Sequence, residues 1–150
     1  MLGQIKEVAE NLGITLVIAK SDADIDMQVN RIVRIEDLPI MLSSWDLNVS
    51  LEFDTQTGFL KNPTVDVTLL LISKAETTDK LEMEEMAEEM GVLFTKFTSD
   101  LKKHLAAKTN VKQNPITGIS FTYVPSFGSG KHSGVLGKMN VQQNLDASCL

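Results

Sequence analysis

From Lys80 to Ala106 the chain carries an apolar stripe that only a long helix can gather onto one side. Met86, Met90, Leu93, Phe94, Phe97, Leu101 and Leu105 recur at spacings of three, four and seven, the repeat of one helical face. Asp79 with Glu82 three residues later supplies a capping box with an acid as the cap. Glu82, Glu84, Glu85, Glu88 and Glu89 occupy the early turns, and Lys102, Lys103, His104 and Lys108 the late ones. Both sets complement the helix dipole. A helix this long with one apolar face needs a sheet or a second helix to cover it.

The flanking sequence offers a sheet. Val65, Val67, Leu69 and Leu71 predict a strand whose second half, with Leu70 and Ile72, is apolar on both faces. Leu47, Val49, Leu51 and Phe53 alternate with Asn48, Ser50 and Glu52 and predict a half-buried strand. Ile14–Ala19, Leu38–Leu42 and Ile116–Val124 are further strand candidates, with Pro125 closing the last. Val135, Met139 and Val141 suggest a final strand, and Met27–Ile35 an irregular strand or long loop. Leu2, Ile5, Val8, Ala9 and Leu12 mark a short first helix stopped by Gly13. Asp54–Pro63 reads as a turn or loop, 126–134 as a flexible glycine-bearing loop, and 145–150 as a polar tail. The expected fold is α+β: an antiparallel or mixed sheet with one long helix and a short N-terminal helix packed on it. At 150 residues one domain spanning 1–150 is expected.

Charge and composition narrow the function. A formal net charge of −6 disfavours broad nucleic-acid binding, which needs a basic footprint. Acids crowd Asp22–Asp66 and Glu82–Glu89, whereas beyond Ala106 the charges are four lysines and Asp146. Opposite charge on two surfaces suits head-to-tail stacking of copies, though ordinary solvation explains it equally. The longest apolar run, Leu69–Ile72, is far below the ~20 residues of a membrane span. The start of the chain lacks a basic segment followed by an apolar one, so no signal peptide is expected. With Cys149 the single cysteine, no internal disulfide is expected either, and synthesis in a reducing cytoplasm fits.

Several chemical motifs fail on inspection. Gly128-Ser129-Gly130-Lys131 has Pro125 and His132 where a P-loop needs glycine and Ser or Thr. Asp22, Asp24 and Asp26 begin like a calcium loop, but Met27 and Val33 occupy the required glycine and acid positions. His104, His132 and Cys149 do not assemble a zinc ligand set at usual spacings; His104 is expected as a cation near the helix C-terminus and His132 as a loop residue. The acids around Glu85 and Glu88 could house paired carboxylates, but a solvated face near the dipole's positive end explains them better. No enzyme, cofactor or metal site is expected. The methionines Met83–Met90 and Trp45 suit either core or interface. Phe59, between Gly58 and Lys61 in a loop, has little core to reach and points to an interface.

A short first helix, Asp37-Leu38-Pro39 leading into Ile40-Met41-Leu42, alternating strands to Lys74, one long helix and two closing strands succeed one another from Ile5 to about Gln143. This order resembles the tail terminator, or tail-completion, proteins of tailed bacteriophages. The resemblance implies a homo-oligomeric ring, commonly a hexamer, between neck or connector proteins and the tail tube of the virion. Such a ring ends the tail and leaves a channel through which DNA passes without specific binding; no membrane is involved. On that reading Asp22, Asp24 and Glu52 are expected to face the channel, where carboxylates repel phosphates. Phe59, Lys61, Phe127, Lys131 and His132 are expected at subunit or partner contacts. The alternatives are a small-ligand-binding or regulatory α+β domain working as a dimer and, behind it, an enzyme using the acid cluster.

Overall fold

The computed structural model describes residues 2–19, 39–44, 48–60, 63–74, 79–109, 116–127 and 132–142. In chain order these form α1 (Leu2–Asn11), β1 (Thr15–Ala19), β2 (Ile40–Ser44), β3 (Asn48–Ser50), β4 (Thr64–Lys74), α2 (Lys80–Thr109), β5 (Ile116–Phe127) and β6 (His132–Gln142). The expected α+β architecture is present: one mixed sheet, a long helix and a short N-terminal helix. Met27–Ile35 and Trp45 lie outside the described residues.

The sheet runs β1-β2-β4-β6-β5, and β3 also pairs with β4. β4 is its centre. Along one edge it pairs with β6 over its whole length, from Thr64↔Gln142 to Lys74↔His132. Its other edge is shared: β2 takes Leu69–Ile72 and β3 takes Thr64–Asp66, both antiparallel. β1 joins β2 in parallel, Thr15↔Ile40 through Ala19↔Ser44.

Strand periodicity sorts the side chains of β4 into two apolar sets. Val65, Val67, Leu69 and Leu71 enter the main core with Met41, Val135, Met139 and Val141 from the sheet. Ile5, Val8 and Ala9 of α1 and Phe94, Phe97, Leu101 and Leu105 of α2 cover them from above. Each such fully buried side chain is worth about 1.5–3 kcal/mol before the entropy of ordering it is subtracted. The alternate residues Leu70 and Ile72 join Ile40 and Leu42 in a second buried cluster on the opposite face, flanked by Val17 and Leu136. The doubly apolar half of the strand is thus buried on both sides, as its sequence implies.

α2 begins where the acidic cap places it. Asp79 Oδ1 accepts the Leu81 N–H at 3.4 Å, and the Met83 N–H donates to the Asp79 carbonyl at 3.0 Å. α1 ends at the expected stop, with Gly13 at φ +74°. His104 does more than sit near a helix end: its Nε2 lies 3.4 Å from Glu7 Oε2, which brings α2 against α1.

Two strand boundaries differ from expectation. β5 continues through Pro125 to Phe127. It is the outermost strand, where a missing N–H costs the ladder nothing on its free side, and its register shifts between Val124 and Phe127. β6 starts at His132, so 126–127 and 132–134 of the expected flexible loop belong to strands, and 128–131 lie outside the described residues. His132, read as a loop residue, is a strand residue 9% exposed.

Candidate assembly surface

The chief departure from the sequence-based expectation lies between β3 and β4. The Leu47–Phe53 alternation implies a half-buried strand, yet β3 is confined to Asn48–Ser50 and its apolar residues are bare. Leu51 is 61% exposed and Phe53 68%, and Val49 is half exposed. Alternation marks a face as apolar; it does not supply a layer to cover it. The core layer that buries Val65 of β4 does not extend over Val49, Leu51 or Phe53.

Beyond Ser50 the chain forms a hairpin rather than a loose loop. Phe53 bridges Leu60 across the two limbs, and the Asp54 N–H donates to the Phe59 carbonyl at 2.8 Å. Asp54 Oδ1 accepts the N–H groups of Gln56 at 2.8 Å and Thr57 at 3.2 Å, an Asx turn at the tip. The Gly58 N–H closes onto the Asp54 carbonyl at 2.8 Å. Gly58 has φ +72°, a left-handed conformation that favours glycine. The tip's hydrogen bonds are therefore satisfied within the hairpin, and its side chains are held away from the core. Phe59 stands out at 76% exposure, with Leu60 beside it.

A second apolar row lies on β5. Ile119, Phe121 and Tyr123 point to the helix-bearing face, but at the sheet's outer edge they are only partly covered. Phe121 packs edge-on against Phe94, centroids 5.9 Å apart, and Tyr123 packs edge-on against Phe121 at 5.4 Å. Phe94 in turn lies 6.2 Å from Phe97. A continuous run of rings leads from the interior to the surface. Gly91 of α2 makes room for it, since a Cβ there would stand 3.0 Å from Tyr123 Cε1. One turn on, Thr95 Oγ1 donates to the Gly91 carbonyl at 2.9 Å and Thr98 Oγ1 to the Thr95 carbonyl at 2.8 Å. Both hydroxyls are satisfied within the helix, so neither asks for a partner beside the aromatic row.

The anticipated site residues divide. Phe59 is the exposed tip residue the sequence suggested, and Glu52 is exposed on the rising limb of the hairpin. Phe127 and His132 are brought opposite each other at the β5–β6 end. His132 is buried within its own chain. Asp22, Asp24, Lys61 and Lys131 lie outside the described residues. Sequence reasoning passed over Leu51, Phe53 and the Ile119–Tyr123 row, because apolar alternation reads as core. The available signal was the short interval from Phe53 to Pro63, enough for a hairpin but for no covering element.

Among the described residues no group of three or more His, Cys, Asp or Glu side chains is placed to hold a metal ion. None of the described helices is long and apolar enough to cross a membrane. No protein-family model and no curated protein matches this chain.

Proposed function

We propose that this chain is a structural assembly protein, one subunit of a ring at the head–tail or neck–tail junction of a tailed-phage virion. The observation that carries the reading is the built hairpin of Val49–Leu60, which holds five large apolar side chains in water. Isolated monomers rarely keep such a patch without a partner. Two further features support it. The order of helix, strands, long helix and two closing strands is that of the tail-terminator resemblance, and the acidic balance suits a channel that DNA must traverse without sticking. On this reading the ring caps the tail tube, meets neck proteins on its other side and performs no catalysis.

Light scattering over a wide concentration range tests it. A species near six times 16.5 kDa is expected. A mass of one or two chains at every concentration overturns the ring and moves the weight to a monomer or a ligand-binding dimer.

A further inference from the structure

The chain exposes two apolar surfaces, and they are not the same kind. The hairpin is a protrusion. The Ile119–Phe121–Tyr123 row is a shallow seat between the edge of β5 and the Gly91–Thr95 stripe of α2. They arise on opposite sides of β4: the hairpin continues from β3, and β6 separates β4 from β5. The hairpin's residues stay exposed, so it does not fill its own chain's seat.

From these placements we infer that the Val49–Leu60 hairpin of one copy docks on the Ile119–Phe121–Tyr123 seat of the next copy. This rests on the assembly reading above and gives that assembly its contact. Protrusion onto seat is a heterologous contact, the kind that repeats around a ring until it closes. An isologous hairpin-to-hairpin contact would leave every seat bare.

Size and charge both favour a second copy as the occupant. The exposed apolar area of Val49, Leu51, Phe53, Phe59 and Leu60 is on the order of 500 Å², taking aromatic side chains at roughly 200 Å² each. A stable interface covers about 800 Å² per partner, so the hairpin supplies more than half of one side. The seat presents exposed aromatic rings, the residue type most favoured at interface centres. Its flanks differ in sign. Lys102, three helical turns beyond Gly91 on the same stripe, stands at one end, while Glu84 and Glu88 stand at the other. Glu52 on the rising limb pairs with the Lys102 end and is repelled from the Glu88 end. One orientation is therefore preferred, as a ring with a single direction of travel requires.

Paired cysteines test the contact in a Cys149→Ser background. Copies carrying Phe59→Cys are mixed with copies carrying Thr95→Cys, treated with a short bifunctional thiol reagent and run on a denaturing gel. A covalent dimer in the mixture, with none from either variant alone, is expected. Dimer from Phe59→Cys alone would show hairpin meeting hairpin and overturn the inference. Absence of dimer while the high-mass species persists would also overturn it, leaving the ring reading intact. Loss of the high-mass species in the parent protein overturns both.

Phe53→Ser with Phe59→Ser provides the second measurement. Both side chains are mostly exposed in the single subunit, so the thermal midpoint measured below the concentration of association should not move. Self-association should weaken about ten-fold or more for each residue if it anchors the contact. Unchanged association in this variant contradicts the docking whatever the cross-linking gives.

Discussion

Gly137→Ala adds one methyl group at the point where Phe94 already lies. A Cβ at that position would run into Phe94 Cζ and stand within 2.7 Å of both Cε atoms, whereas ordinary van der Waals contact begins at 3.4 Å. The whole ring would have to retreat. It has nowhere to go, being fully buried between Phe97 and Phe121 in an interior packed at crystal density. The helix must therefore lift from the sheet or Phe94 must leave its rotamer. Overpacking of this kind costs about 1–3 kcal/mol, and a direct ring collision puts Gly137→Ala at the upper end, about 3 kcal/mol. For a chain of this size that lowers the thermal midpoint by roughly 6–12 °C. Urea unfolding followed by far-UV circular dichroism measures it, with Gly3→Ala as the control. No atom lies within 4 Å of a Cβ at Gly3 on α1, so that change should stabilise by roughly 0.5–1 kcal/mol. Phe94→Leu in the Gly137→Ala background should recover at least ~1 kcal/mol relative to additivity. A Gly137→Ala protein within about 0.5 kcal/mol of wild type, or strict additivity with Phe94→Leu, would refute the account of how α2 rests on β6.

Three other changes probe separate parts of the fold. Leu70→Ala, on the face away from the helices, should cost about 2–5 kcal/mol in urea unfolding because the side chain is 2% exposed, and a change below ~1 kcal/mol would deny that this face is packed. Asp79→Ala removes the cap of α2, whose bond to the Leu81 N–H is 3.4 Å long, and the loss should be about 0.5–2 kcal/mol by the same assay. Gly58→Ala forces a left-handed residue at the hairpin tip where no atom crowds the new methyl, so its cost of about 1–2 kcal/mol is purely conformational. It should appear as faster protease cleavage within 54–60 while the global midpoint stays put, and an unaltered cleavage rate would contradict the turn.

How far the fold was legible depends on how local each signal is. The α2 pattern announces itself because cap, dipole charges and stripe agree over many turns. β4 was readable on both faces since Leu69–Ile72 leaves no polar side to expose. Pairing was not readable. Nothing in Ile14–Ala19 and Leu38–Leu42 declares that they lie parallel, because register between distant strands is decided by packing rather than by either segment. The same limit hid the exposed apolar surface. Leu51 and Phe53 carry the alternation of a core strand, and Ile119, Phe121 and Tyr123 do too; their positions at the end and edge of the sheet, properties of the whole fold, leave them uncovered. Phe59 alone was legible as exposed, because the turn residues Asp54 and Gly58 place it next to a tip. Pro125 misled in the opposite way: a strand breaker in the middle of a sheet is harmless on its rim.

The central position of β4 also sets a timetable. Its full-length partner is β6, and between them come the whole of α2 and β5. At roughly 5–20 residues per second a ribosome needs several seconds to go from Lys74 to Gln142. Throughout that interval one flank of Val65–Ile72, an apolar and proline-free segment of the sort that seeds aggregates, has no strand to meet it. α2 can coil within microseconds of emerging and lie over one face, but a helix cannot satisfy a strand's backbone. The nascent chain is most vulnerable until β6 emerges, and yield in a host cell should respond more to chaperone supply and translation speed than to the stability of the folded sheet.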